Sequence, residues 1–577
     1  MNYSAMKTKR FILVAVVGAV LGFSVAAGFW MPRDDDFFAL RKNFEIFGAV
    51  YEELVTGYVD DLDAARVMRT GLEAMLEDLD PYTVFYDEAD NADIDILTRG
   101  KYGGVGLNVQ VRNGRITVSS PIEDASGYKQ GVRAGDIITH VSETPIDGLS
   151  LSDVRHLMRG EPGTTIEIVI EREGEPEAIE FILTREEVTI KNVTYAAFVD
   201  DDTASGLGYI KLERFARGAS RDVRGALQEM QKAGPMRGVI LDLRHNPGGL
   251  LEDAFEITEL FVPQGVAIVS TRGRTPETER VYRSKKPPLL PETPVVILVN
   301  EFSASASEIV AGAIQDLDRG LIVGTTSFGK GLVQIVKPLP YNTSLKLTTS
   351  RYYTPSGRSI QAIDYSLHDG DFKQIPDSLR RTFKTAAGRP VQDGGGIMPD
   401  VEVSLGEVSE LEQALRRRAA YFFFANHYAA THKIEPETGE QRTPEERFYR
   451  PNPPAVVVEL DLDLVLEEFQ AWLATQEFSY RTTAERALDQ LDDDLQAMGY
   501  AEAGDEVAAL HQAVLKEKDA DFDRHTARLK ELLRAEIMAR YLGRAEQIKA
   551  SLASDPQFQK AVALLQDPDA YARALGR

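Results

Sequence analysis

Residues 294–334 constrain the fold of this chain more than any other stretch. Five consecutive apolar residues, Val295-Val296-Ile297-Leu298-Val299, predict a buried strand. The run stops at Asn300-Glu301-Phe302-Ser303-Ala304-Ser305-Ala306-Ser307-Glu308, after which Ile309, Ala313, Ile314 and Leu317 recur at helical spacing. A second apolar run, Leu321-Ile322-Val323, leads into Gly324-Thr325-Thr326-Ser327-Phe328-Gly329-Lys330-Gly331-Leu332-Val333-Gln334. Strand, Ser-rich elbow, helix and strand make a βαβ unit. It sets a serine at a helix N-terminus and a glycine-flanked lysine after the next strand.

A serine hydroxyl is a poor nucleophile until a neighbour takes its proton. A lysine can do this when neutral, and burial among apolar groups favours the neutral form. Lys330 lies between Phe328, Leu332 and Val333, and its flanking glycines let the backbone approach another element. The start of a helix also offers unpaired N–H groups and a positive dipole end, which can hold an oxyanion. On residue types alone, the Ser/Ala run also fits tight helix packing or an N-cap. Gly324–Gly331 nearly spells a phosphate-binding loop and suggests a nucleotide hydrolase. The lysine is followed by Gly331, however, not by the hydroxyl that would hold Mg²⁺, and Pro338 and Pro340 preclude a helix there.

In these segments the chain resembles the carboxy-terminal processing peptidases, the tail-specific serine proteases of the S41 type. The resemblance runs from about Phe37 to Leu405. It rests also on Asp242-Leu243-Arg244-His245-Asn246-Pro247-Gly248-Gly249, on Lys346–Gln361 (KLTTSRYYTPSGRSIQ) and on Gly395-Gly396-Ile397-Met398-Pro399-Asp400. It implies a serine endopeptidase with Ser305 as nucleophile and Lys330, 25 residues later, as base. Gln334 would orient the lysine. Oxyanion N–H groups would come from Gly248 or Gly249 and from Ala306. No cofactor or metal is implied. His245 departs from the family pattern, where an asparagine or similar polar residue is expected, and it is the runner-up for the base.

Between Lys101 and Glu187 the chain is β-rich. Tyr102-Gly103-Gly104-Val105-Gly106-Leu107 precedes an alternating strand, and Asn113-Gly114 signals a hairpin. With Gly131-Val132-Arg133-Ala134-Gly135-Asp136 this resembles a PDZ domain of the circularly permuted bacterial type. Gly104, Val105, Gly106 and Leu107 would capture a peptide's C-terminal carboxylate on backbone N–H groups, with the peptide adding as a strand. The resemblance makes Arg159 a regulatory candidate that reaches toward the catalytic turn. The other reading is a cation at a helix C-terminus.

The expected architecture is α/β and multidomain. Residues 1–36 would be a signal peptide or anchor, 37–95 a helical cap, 96–187 the inserted PDZ domain, 188–405 a mixed-sheet Ser/Lys protease core, and 406–577 a mainly helical region. In that last region Leu529, Leu533 and Ile537 step by four, and Asp555-Pro556 caps a final helix with Phe558, Val562 and Leu565. A solvated helical bundle is its plainest reading. Cap or tail could also join copies of the chain into a homo-oligomer.

The chain of 577 residues exceeds one core. Its formal net charge of −25 argues against nucleic acid as a partner. The absence of cysteine excludes disulfides, thiolate nucleophiles and zinc–thiolate sites. Lys7, Lys9 and Arg10 precede an apolar run from Phe11 to Met31, followed by Asp34-Asp35-Asp36. This pattern predicts export to a bacterial envelope, with the body on the periplasmic side. The run's length favours an uncleaved membrane anchor, whereas Ser24-Val25-Ala26 resembles a cleavage site. The expected function is cleavage of proteins at or near free C-terminal tails, with PDZ-gated access. The alternative is a non-catalytic PDZ scaffold of the envelope.

Overall fold

The computed structural model describes residues 34–88, 100–365, 373–432 and 460–577. The apolar run Phe11–Met31 lies outside them. Among the described residues no helix is long and apolar enough to cross a membrane. The chain divides into two units, Met1–Phe85 and Tyr86–Arg577.

The first unit is a helix pair, Asp34–Gly57 and Ala64–Glu77. Asp63 caps the second helix by accepting from the N–H groups of Ala65 and Arg66. Tyr51 ties the two together by donating to the Ala64 carbonyl at 2.9 Å. Phe44, Phe47 and Leu54, which set the helical period, remain exposed.

In the second unit, residues 101–189 form a small β domain. Its strands Leu107–Arg112, Arg115–Pro121, Ile137–Val141, Thr165–Glu171 and Ile179–Thr184 are hydrogen-bonded in that order, so Leu107–Arg112 is an edge. Asn113 and Gly114 both take positive φ, as the tight hairpin turn requires. The core is aliphatic, with Val118, Val154, Ile168, Ile170 and Leu183 sealed from solvent. The helix Leu151–Met158 starts on a Ser150–Asp153 capping box and packs along the edge strand. These features are those expected of a PDZ domain.

The central sheet has six strands in the order Val193–Phe198, Leu207–Leu212, Gly238–Asp242, Val295–Val299, Leu321–Gly324 and Val401–Glu402. The first pair is antiparallel and the remaining pairs are parallel. Both faces are covered, which is why its strands are apolar without alternation. Val295, Ile297 and Val299 pack beneath the helices Ala219–Ala233, Leu251–Glu259 and Ala306–Asp316. Val296 and Leu298 face the other way, toward Ile548, Phe558, Ala561, Val562, Leu565 and Tyr571.

That second cover differs from the expectation of a solvated tail. The last three helices, Arg544–Leu552, Pro556–Gln566 and Pro568–Ala574, form the missing layer of the protease sheet. The Tyr571 hydroxyl donates to the Val295 carbonyl at 2.9 Å and accepts from the Val295 N–H at 3.1 Å. An apolar sheet face must be buried, and each large side chain so covered contributes about 1.5–3 kcal/mol. The rest of the C-terminal region does have its own core, built on Leu411, Phe424, Phe469, Leu529, Leu533 and Ile537. It abuts the PDZ domain, where the Arg112 guanidinium lies 3.9 Å from the centre of the Phe422 ring.

Candidate active site

Three loops leave the C-terminal ends of three adjacent parallel strands: 243–249, 300–305 and 325–331. Ligand sites of open parallel sheets form at this edge. The middle loop ends at Ser305, whose φ of 55° and ψ of −110° lie outside the regions that suit a side chain. Such a conformation costs about 1–3 kcal/mol and persists only when its surroundings impose it. Here they do. The Ser305 carbonyl accepts from the N–H groups of Glu308 and Ile309 and from the Tyr352 hydroxyl at 3.1 Å. The Ser305 N–H donates to Glu308 Oε2 at 2.7 Å.

Glu308 is the hub of the site, and it was not singled out in the sequence. Its side chain is completely buried. Oε2 also accepts from the Lys330 N–H at 2.9 Å, so the elbow and the lysine turn share one oxygen. Oε1 accepts from the Ser327 hydroxyl at 2.6 Å and the Gly329 N–H at 2.7 Å. Burial pushes the Glu308 carboxyl up to about 7, against the pull of these hydrogen bonds. The signal for it was Ser305-Ala306-Ser307-Glu308 itself, an S-x-x-E capping-box pattern at the start of an apolar helix.

The lysine turn is held closely. Gly331 donates to Gln361 Oε1 at 2.8 Å, and Gly329 takes φ 86° with its Cα facing Ala362 too closely for a Cβ. The Ser327 N–H goes to the Ile397 carbonyl and the Phe328 N–H to that of Ser303. Every N–H from Ser327 to Gly331 is thus engaged within the protein, and the strand Leu332–Pro338 follows. A phosphate cradle needs open N–H groups and a helix, so the geometry rules against the nucleotide-loop reading.

The glycine turn packs on the elbow. A Cβ at Gly248 would lie 2.9 Å from the Ala306 nitrogen and from Ser305 Cβ, and 2.7 Å from the Ala304 oxygen. The two glycines differ in what their N–H groups do. Gly248 donates to Asn246 Oδ1 at 2.9 Å. The parallel bridge to Phe215 uses the Gly248 carbonyl and the Leu250 N–H. Among the described residues, the N–H groups of Gly249 and Ala306 take no partner.

His245 is held away from the role of base. Its N–H donates to Asn300 Oδ1 at 2.9 Å, as does that of Phe302 at 3.2 Å, which identifies that atom as the oxygen. The Asn300 amide nitrogen therefore faces His245 Nε2 at 3.0 Å and donates to its lone pair. Burial, with Lys211 and Arg244 nearby, lowers the His245 pKa further. Beneath the loop, burial disfavours charge on Asp242, but Arg244 and Lys211 outweigh it and hold its carboxyl well below the usual range. Arg244 continues to Asp555 at 2.6 Å and Gln557 at 3.0 Å, joining this loop to the C-terminal helices.

The other sequence candidates lie elsewhere. Gln334 sits beside a bulge in its hairpin and donates to Thr348 Oγ1 at 3.1 Å. Arg159 follows the PDZ helix and lies over the ring of Tyr102. Gly104 ends a short strand, and Val105, Gly106 and Leu107 are buried at the start of the PDZ edge strand.

Comparison with known proteins agrees with this layout. The profile of peptidase family S41 matches residues 206–367, a PDZ profile matches 117–172, and that of a probable PDZ-protease C-terminal helical domain matches 411–565. A carboxy-terminal-processing protease of Bartonella bacilliformis is 40% identical over 325 residues, covering 56% of this chain and 73% of that protein. A chloroplastic C-terminal processing peptidase of Tetradesmus obliquus is 35% identical over 50% of this chain and 64% of its own length. Among solved structures, a photosystem II D1 C-terminal processing protease is 29% identical with a TM-score of 0.36, covering 62% of this chain and 86% of its own. This chain therefore belongs to the carboxy-terminal-processing proteases, the PDZ-bearing serine peptidases of family S41.

Proposed function

We propose that Ser305 and Lys330 are the catalytic dyad of this peptidase. The observation that carries the reading is the single Glu308 oxygen that fixes the backbone of both residues. Neutral Lys330, steadied by Gln334, takes the proton from Ser305 Oγ as that oxygen attacks the substrate carbonyl. The Gly249 and Ala306 N–H groups hold the oxyanion, an assignment supported by their lack of partners among the described residues. The lysine then gives its proton to the departing amine, and water releases the acyl-enzyme.

Protein tails with a free carboxylate enter through the PDZ domain. The N–H groups of Val105 and Gly106 take no partner among the described residues, which suits a carboxylate. PDZ placement gates access, with Arg159 as a regulatory contact. The N-terminal segment directs the body to the outside of a membrane, and the exposed apolar helix of the first unit suits pairing with a second copy.

Digestion of an unfolded, tagged protein by wild type, Ser305→Ala, Lys330→Ala and Lys330→Arg tests the dyad. Only wild type should cleave, because arginine cannot deprotonate in a protein. Equal cleavage by all four would remove the dyad. A scaffold without catalysis would bind tails yet leave the wild-type digest untouched.

A further inference from the structure

A cavity of about 1550 Å³ runs along the open side of the PDZ edge strand Leu107–Arg112. Its other walls are the helix Leu151–Met158, the protease core at Arg214 and the helical domain at Phe422. The N–H groups of Val105 and Gly106, without a partner among the described residues, lie at one end and Arg112 at the other. A peptide whose carboxylate sits at Val105 and Gly106 must run antiparallel to the strand. Both chains advance about 3.3 Å per residue, so the side chain about five residues before its last would lie beside Arg112.

The wall is basic although the protein carries a net charge of −25. Most acids in the wall are already engaged. Asp136 pairs with Arg172 at 2.7 Å, Glu213 with Arg544 at 2.7 Å, Glu536 with Arg540 at 3.3 Å and Glu173 with His427 at 2.9 Å. Arg112, Arg133, Arg155 and Arg214 make no ion pair among the described residues; of the acids in the wall, only Glu175 is in that position. Arg112 and Arg214 each bury an Nε–H with no acceptor among the described residues. Such a group calls for a partner. Arg112 also shares the Phe422 ring with Arg540, which lies 4.5 Å from its centre, and burial disfavours the charge on both.

We propose that this cavity selects protein tails with an acidic side chain about five residues before the terminal carboxylate, read by Arg112, with Arg155 and Arg214 adding attraction. The proposal rests on the PDZ loop being the receptor for tails. The test is fluorescence anisotropy on the full chain carrying Ser305→Ala, so that ligands survive. Three labelled peptides differ only in Glu, Ala or Lys at that position, and a fourth is the Glu peptide ending in an amide. The Glu acid should bind about tenfold tighter than the Lys acid, and the gap should narrow as salt rises. It should also narrow in Arg112→Gln. Because Arg112 packs on Phe422, the exposed Arg155→Gln serves as a second variant that narrows the gap without moving the melting temperature. If Glu, Ala and Lys acids bind equally while the amide is weaker, tail reception stands and the acidic selection is overturned. If the amide binds as well as the acid, the receptor reading falls and this proposal falls with it.

Discussion

Glu308 is where residue chemistry bears hardest on the site. Four donors converge on its two oxygens, an arrangement only a carboxylate accepts in full. Glu308→Gln replaces one acceptor oxygen with an amide that faces fixed N–H groups. Turnover should fall about 100-fold or more with the fold retained, checked by steady-state kinetics beside circular dichroism. The pH dependence has a definite sign. The folded carboxyl titrates near 7 and the unfolded one near 4.5. Between those values the folded state holds a proton that the unfolded state has lost. This contribution to stability is complete below the unfolded value and is lost as pH rises through the folded one. Urea unfolding at pH 5 and pH 8 should show wild type losing about 2.5 kcal/mol relative to Glu308→Gln as pH rises. Ser305 and Lys330 stood out as candidates through the resemblance of their segments to a peptidase family, because residue types alone also fitted an N-cap and a phosphate loop. Glu308 stood in the same motif but looked like an ordinary first-turn acid, because its second partner, the lysine turn, is distant in sequence.

At the scale of elements, the serine elbow and the glycine turn are fitted to each other through backbone. Gly248 therefore tolerates no side chain: the atoms its Cβ would strike are main-chain atoms of residues 304–306 or the Cβ of Ser305. Gly248→Ala should push the elbow out of place and lower kcat/KM about 100-fold, while tail binding at the PDZ domain, measured by anisotropy, stays unchanged. The strands Gly238–Asp242, Val295–Val299 and Leu321–Gly324 could be read from their apolar runs because a sheet covered on both faces leaves no room for alternation. Which of Gly248 and Gly249 leaves its N–H without a partner among the described residues could not be read. It depends on the Asn246 side chain and on the bridge to Phe215, neither of which a local pattern reveals. His245 likewise offered a base on residue type and lost it to Asn300, 55 positions away.

For the whole molecule, the C-terminal helices belong to two bodies. Residues 411–537 build a separate core, whereas Arg544–Ala574 closes the catalytic sheet. A chain ending at Leu542 should lose near-UV circular dichroism and bind a hydrophobic dye, because the face carrying Ile240, Val296 and Leu298 is left bare. Tyr571→Phe should cost about 1–3 kcal/mol in urea unfolding, as it strands both polar groups of Val295. The helix Pro556–Gln566, not the last because Pro568–Ala574 follows it, was visible from its Asp-Pro cap and its apolar stripe. Its docking partner was not, since a stripe says that a face is buried but not against what. The order of synthesis gives this closure a meaning. Elbow and lysine turn precede in synthesis the segment that covers their sheet, so that sheet should settle into its final packing only once residues 544–574 have been made.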